Sequence, residues 1–204
     1  MKKIFEFGGV AAGIILIAFG VAAIVLGFNG KSTVATNLKQ QQIVGTPDMT
    51  PTGIAAAAKA AGLPASIPLP KCSVANKAIT NGTKARCFAE YMQIHAYEAS
   101  GGLPYATMPR YASADGKGTN DPTQALLVNG QPQDNAARNV WITETALTGS
   151  LNMAYMAEQL GNFGIVVGIA LLLSGVGFVI LALGGALRAG EWTIGRFISK
   201  KDPK

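Results

Sequence analysis

Three residues of this chain have side chains typical of catalytic or metal sites, namely Cys72, Cys87 and His95. The two cysteines and the histidine are the only residues of their kinds, so a zinc-type ligand set or a cysteine–histidine nucleophile finds little support. A disulfide between Cys72 and Cys87 is the expected pairing, and it would persist in an oxidising compartment. Closing the loop between them would stabilise the fold by about 3 kcal/mol, because it reduces the conformational entropy of the unfolded chain. Asn81-Gly82 within that loop predicts a tight turn.

His95 lies on a predicted helix from Ala85 to Ser100. Glu98 follows it by three positions and Tyr91 precedes it by four, so both side chains can reach the imidazole on one helix face. A lone histidine on a half-apolar helix is expected to be a packed or hydrogen-bonded structural residue. Two functional alternatives stay open, a ligand-binding role and a pH-sensing role.

Carboxylates elsewhere do not complete a recognisable site. Asp115 and Asp121 lie in the predicted loop Leu103–Pro132, but the spacing and closing glutamate of an EF-hand are missing. The sequence contains no phosphate-binding loop, zinc spacing or nucleophile–base pair. We therefore expect a protein that is not an enzyme and that has no cofactor and no metal site.

Two long apolar segments flank the region that contains these residues. Val10–Phe28 and Phe163–Leu187 contain no Asp, Glu, Lys, Arg or His, and each is long enough to cross a bilayer. The first exceeds the 7–15 residues of a signal-peptide core, so we interpret it as a retained anchor. About 130 residues between the spans suffice for one small domain.

Basic residues indicate the orientation of these spans. The tails outside the spans contribute +4 of the formal net charge of +6. The positive-inside rule then predicts a multi-pass protein of the cell (plasma) membrane, with both termini cytoplasmic and residues 29–162 extracytoplasmic. The lipid bilayer is the expected partner of the basic tails, and nucleic acid is not.

The predicted fold is mainly α, with two antiparallel transmembrane helices, extracytoplasmic helical extensions and a small disulfide-bearing helical and loop domain between them. Asn29–Val44 is predicted to continue the first helix, although Asn29-Gly30 favours a break. A short helix is expected at Gly53–Ala61. Asn135–Leu187 is predicted as one helix of roughly 80 Å, of which a bilayer core takes about 30 Å. The predicted regions are an anchor (1–28), an extracytoplasmic domain (29–134), a stalk with the second span (135–187) and a basic amphipathic tail (188–204).

Glycines recur every seven residues in both spans. This spacing keeps small residues on one helix face, where they permit close approach of a second helix in lipid. We expect the two helices to pack on these stripes, at Gly13, Gly20, Gly27, Gly161, Gly168 and Gly175.

Several stretches resemble a family of small two-span actinobacterial membrane proteins: Ile94–Tyr111, Arg138–Leu160, Gly161–Gly185 and the segment NLKQQQIV. Members often have the label "aromatic ring-opening dioxygenase". The resemblance implies an integral membrane protein with two spans. The activity in that label requires a facial triad of two histidines and one carboxylate, which a chain with one histidine cannot supply.

These features predict a structural or accessory (scaffold) subunit that assembles with itself or with a larger membrane complex. A homo-oligomeric channel or pore is the alternative, although Asn162 and Ser174 are almost the only polar residues available to line a path. A sensor role is disfavoured because only about seventeen residues follow the second span.

Overall fold

The computed structural model describes residues 2–184 of the chain. In this part the fold is mainly α-helical, as predicted, with the helices α1 (Lys2–Gln40), α2 (Pro51–Ala60), α3 (Gly82–Ala99) and α4 (Ala136–Leu183). The predicted amphipathic tail, residues 188–204, and the last residues of the predicted second span lie outside the described residues.

Two of the helices are long and apolar enough to cross a membrane, Phe5–Gln40 of α1 and all of Ala136–Leu183. Their most apolar windows have mean hydropathies of 2.7 and 2.8. The possible break at Asn29-Gly30 does not occur, because α1 continues without interruption to Gln40. No proline interrupts either helix, so the backbone hydrogen-bond ladder can run through polar and apolar sequence alike.

The described residues divide into two compact units. The paired-helix unit contains residues 2–29 and 160–184, and the central unit contains residues 30–159. The predicted domain boundaries lie at 28/29 and 134/135, whereas the boundaries between the units, at 29/30 and 159/160, lie within α1 and α4.

The core of the central unit forms where α2, α3, the end of α1 and the first part of α4 meet. Its fully buried large side chains are Ile54, Val74, Ile79, Tyr91 and Ile94. Helix α2 starts at Pro51, two residues before the predicted start at Gly53. The Thr50 hydroxyl caps it by accepting a hydrogen bond from Gly53 N at 2.9 Å. Proline suits this first helical position because its missing N–H would have no partner there.

Helix α3 starts earlier than predicted. Asn81 is its N-cap, and the Asn81 side chain accepts a hydrogen bond from Lys84 N at 2.8 Å. The prediction of a tight turn at Asn81-Gly82 is therefore wrong. Asparagine favours both turns and helix N-caps, and here the apolar face that follows selects the helix.

A small hairpin interrupts the predicted loop Leu103–Pro132. Strands β1 (Leu127–Val128) and β2 (Gln131–Pro132) pair antiparallel, with Leu127 opposite Pro132. Asn129 and Gly130 connect them with φ values of 53° and 76°, as a two-residue type I′ turn requires. A single 3₁₀ turn, Tyr105–Thr107, precedes the hairpin.

Candidate functional site

Within the paired-helix unit, six glycines form three facing pairs. A Cβ atom built on Gly13 would lie 2.7 Å from the carbonyl oxygen of Gly175, and one on Gly20 would lie 2.7 Å from that of Gly168. The third pair, Gly27 with Gly161, gives 2.6 Å. Real side chains do not tolerate such distances, so each position accepts only glycine without movement of a helix backbone. The pairs involve the residues predicted from the seven-residue spacing.

The stripe of small residues on α4 continues past the Gly13–Gly175 pair. Ala182, seven residues after Gly175, is fully buried. Backbones that approach this closely gain dispersion contacts, which drive helix association where lipid removes the hydrophobic driving force.

The two cysteines form the predicted disulfide, with their Cα atoms 6.1 Å apart. It joins the extended segment that contains Cys72 to the second turn of α3. Beside it, the hydroxyl of Tyr91 donates a hydrogen bond to the Cys72 carbonyl oxygen at 2.6 Å. The helical spacing allows Tyr91 to reach His95, and the hydrogen bond of its hydroxyl goes to the segment that contains Cys72. Burial raises the pKa of the Tyr91 phenol, and the nearby Glu90 and Asp48 charges act in the same direction.

His95 lies between two carboxylates. Its Nδ1 is 2.8 Å from Glu98 Oε2, the contact that the helical spacing predicts, and its Nε2 is 3.3 Å from Asp48 Oδ2. Asp48 belongs to the turn before α2 and was not among the predicted partners. The imidazole thus connects that turn to α3, and when it is protonated it can donate to both carboxylates at once. This geometry is that of a structural hydrogen-bonding residue, with the ligand-binding and pH-sensing alternatives still open.

The turn itself favours ionised Asp48. A hydrogen bond from the Thr46 side chain lowers the pKa of the Asp48 carboxyl. Partial desolvation raises this pKa, but the backbone N–H of Asp48 and the charge of His95 lower it further, so the net pKa is lowered. The other oxygen of Glu98, Oε1, is buried and has no hydrogen-bond partner.

A buried carboxylate lies on α4 close to this cluster. Glu144 is 5% exposed, and its Oε1 accepts a hydrogen bond from the Thr148 hydroxyl at 2.7 Å. Glu144 and His95 both line a cavity of about 370 Å³. The sequence does not predict this burial, because nothing near position 144 distinguishes a buried glutamate from an exposed one.

An apolar groove of about 720 Å³ lies within the central unit. Its walls come from the end of α1, from α3 and from α4. Most lining side chains are apolar, including Val34, Leu38, Phe88, Met92 and Leu151. It presents no charged group and therefore suits apolar contacts rather than acid–base chemistry.

Trp141 anchors the start of α4 on the segment before the hairpin. The indole N–H donates to the Leu103 carbonyl oxygen at 3.0 Å, and the ring meets Tyr97 edge to face with centroids 4.8 Å apart. Arg138 lies over the ring of Tyr105, at 4.1 Å from its centroid. These contacts order part of a segment that the sequence predicts as loop.

Asp115 and Asp121 form local turns. Asp115 accepts hydrogen bonds from the Ser113 hydroxyl and from Lys117 N, and Asp121 accepts from the backbone N–H and the hydroxyl of Thr123. These bonds lower the pKa of both carboxyls. Across residues 2–184, no group of three or more His, Cys, Asp or Glu side chains is arranged to hold a metal ion.

Comparison with known proteins gives no relative from which a function can be transferred. No protein-family model, curated protein or solved structure matches this chain.

Proposed function

We propose that this chain is a non-enzymatic integral membrane protein that serves as a structural or accessory (scaffold) subunit of a membrane assembly. In this proposal α1 and α4 cross the cell membrane in antiparallel directions. Both termini lie in the cytoplasm, and residues 29–162 lie outside. The proposal also places the chain in the two-span actinobacterial family that its sequence resembles.

The facing glycine pairs are the observation on which the proposal depends. Along the chain, Gly13, Gly20 and Gly27 meet Gly175, Gly168 and Gly161 in reverse order, which supports an antiparallel pair. A glycine inside a helix costs about 1 kcal/mol relative to alanine. Six of them in register are favourable where backbone approach in lipid offsets that cost.

The outer faces of the same unit support a lipid environment. Large apolar side chains there are mostly exposed: Phe19 (66%), Leu26 (70%), Phe163 (67%) and Leu173 (65%). Contiguous apolar surface of this kind is unfavourable in water and is normally covered by lipid or by another protein. The absence of ionisable residues from Val10–Phe28 and Phe163–Leu187 favours anchoring over a proton or ion path.

Leucine substitutions test the helix pairing. Gly20→Leu and Gly168→Leu should each lower the melting temperature of the detergent-solubilised chain, because the new side chain meets a backbone carbonyl oxygen at 2.7 Å. Overpacking of this kind costs about 1–3 kcal/mol. Gly8→Leu is the matched control, since a Cβ on Gly8 meets no atom within 4 Å. Equal melting of all three variants and wild type would refute the packing.

Assembly and conduction are tested separately. Native mass spectrometry of gently solubilised protein should detect complexes larger than the 21.1 kDa chain. A chain that is monomeric in every mild detergent contradicts the scaffold role. Single-channel currents from the purified protein in a planar bilayer would instead favour the alternative of a channel or pore.

A further inference from the structure

A polar cavity of about 360 Å³ lies at the start of α4 in the central unit. Three of the residues that line it are charged, namely Arg110, Arg138 and Asp134. The other lining residues are uncharged: Tyr105, Asn135, Asn139 and Ile142. The volume lies near the lower end of the roughly 300–1,000 Å³ that small-molecule sites occupy. The cavity therefore suits a small ligand of about the size of an amino acid.

The three charged side chains do not neutralise one another. Across residues 2–184, no ion pair includes Arg110, Arg138 or Asp134. One guanidinium N–H of Arg138 donates to the Met108 carbonyl oxygen at 2.8 Å, and an arginine has several further donors. Charges that line one concave surface without pairing with each other are available to a ligand of complementary charge.

Backbone hydrogen bonds fix the segment that contains Arg110. The backbone N–H of Arg110 donates to Asn120 Oδ1 at 3.0 Å, and its carbonyl oxygen accepts a hydrogen bond from Asn135 N at 2.9 Å. The next residue, Tyr111, forms an antiparallel bridge with Asp134. Arg110 and Asp134 therefore lie on paired segments, so part of the ordering that a ligand would otherwise have to induce is already present.

Arg138 is also held in place before any ligand binds. Its guanidinium lies over the Tyr105 ring, 4.1 Å from the centroid, in addition to the hydrogen bond with Met108. A planar guanidinium presents its donors in a fork that matches the two oxygens of a carboxylate. Two such groups in one cavity indicate a ligand with more than one carboxylate.

Asp134 restricts the ligand further. A simple dianion such as phosphate or a dicarboxylate would leave Asp134 without a partner and would be repelled by its charge. An ammonium group on the ligand removes this repulsion and can donate to the carboxylate. Two guanidiniums and one carboxylate are therefore complementary to two carboxylates and one ammonium, while Ile142 and the Tyr105 ring offer apolar surface to the carbon chain.

We propose that this cavity binds a dicarboxylic amino acid, with its carboxylates at Arg110 and Arg138 and its ammonium group at Asp134. The ligand is either a free amino acid or the equivalent group of a peptide. This inference goes beyond the proposed scaffold role and does not depend on the membrane topology, because all the lining residues belong to the central unit.

Calorimetric titration of the detergent-solubilised full chain with L-glutamate tests the site. We expect saturable binding with a Kd below about 1 mM at low ionic strength. Glutarate has the same two carboxylates but no ammonium group, so it should bind at least ~10-fold more weakly. Inorganic phosphate should bind at least ~10-fold more weakly as well, because it offers no donor of positive charge to Asp134.

Two substitutions assign the charges of the ligand to residues of the cavity. Asp134→Asn should weaken glutamate binding and bring its Kd to within about 2-fold of that of glutarate, because the charged partner of the ammonium group is lost. A variant that merely unfolds would lose both ligands and would not show this change in selectivity. Arg110→Gln should weaken the binding of both ligands by at least ~10-fold.

Arg86→Gln is the matched control for Arg110→Gln. Arg86 is also an exposed arginine beside a tyrosine ring, 4.8 Å from the centroid of Tyr155, and it does not line the cavity. Its substitution should leave glutamate binding unchanged. The melting temperature of each ligand-free variant shows whether it is folded.

Three results would overturn the inference: no saturable binding of glutamate, binding of glutarate or phosphate as tight as that of glutamate, or equal Kd values for wild type and Arg110→Gln. None of them bears on the scaffold role, which is tested by the assembly state of the chain. Conversely, a chain that is monomeric but binds glutamate selectively retains the site and loses the scaffold role.

Discussion

Glu158 connects two helices that are far apart in the sequence. Its carboxylate accepts hydrogen bonds from Gly82 N at 2.6 Å and from the Thr83 hydroxyl at 3.2 Å, and 76 positions separate it from Gly82. Both donors belong to the first turn of α3, where free N–H groups and the positive end of the helix dipole favour an anion. Gly82 also has no room for a Cβ, because the Ala154 carbonyl oxygen would lie 2.7 Å away.

Removing the charge of Glu158 should destabilise this junction. We expect Glu158→Gln to lower the free energy of unfolding by about 1 kcal/mol, through a weaker hydrogen bond to Gly82 and a lost dipole interaction. Thermal unfolding of the solubilised chain measures the change. Glu90→Gln is the control, because its ion pair with Arg86 is long (3.6 Å) and exposed. Equal losses in the two variants would contradict the special role of Glu158.

Asp48 makes the stability depend on pH in the acid range. Its folded pKa lies below the ordinary value of 3.8, so its stabilising contribution is complete above about pH 4 and is lost as the pH falls through the folded pKa. The melting temperature of Asp48→Asn should therefore fall less steeply below pH 4 than that of wild type. Asp115 and Asp121, whose pKa values are also lowered, contribute equally to the pH dependence of the melting temperature in both proteins. Identical slopes would show that Asp48 contributes nothing.

At the scale of the elements, the start of α3 depends on one capping side chain. Asn81 has an extended backbone and accepts from Lys84 N, which satisfies one of the four free N–H groups of the first turn. The structure therefore uses Asn81-Gly82 as a helix start rather than as a hairpin turn. The hairpin turn lies instead at Asn129-Gly130, where both residues have positive φ.

Loss of this cap should weaken α3 and the disulfide-linked core that it supports. We expect Asn81→Ala to cost about 1 kcal/mol, whereas Asn81→Asp should retain most of the stability because aspartate caps equally well. Denaturant unfolding of the two variants and wild type measures the difference. If Asn81→Ala unfolds at the same denaturant concentration as wild type, the Asn81 cap does not stabilise α3.

At the scale of the whole molecule, the proposed topology predicts which residues an external reagent can reach. Lys117 is exposed in the loop after Asp115, and on the proposed topology it lies outside the cell. A membrane-impermeant maleimide should label Lys117→Cys in intact cells and should label Lys3→Cys only after permeabilisation. The native cysteines do not interfere, since they are joined in the disulfide. Labelling in the reverse pattern would refute cytoplasmic termini.

Features that depend on nearby residues were predictable from the sequence. The two long apolar helices follow from runs without charge, and the disulfide follows from two cysteines without other partners. The glycine stripes also follow, because the seven-residue spacing and helix geometry together fix which face each glycine occupies. Helix ends were less accurate, as the earlier start of α3 shows.

Contacts between distant segments could not be predicted in this way. Asp48 reaches His95, Tyr91 turns to the Cys72 carbonyl oxygen, and Glu158 caps α3. Each contact depends on the tertiary fold, which brings distant segments of the chain together. Hydropathy and helix propensity do not contain that information, because both are properties of short windows of sequence. Burial of Glu144 is of the same kind. The amino-acid order therefore determines the helices and the residues they can present, while tertiary packing selects the partners of those residues.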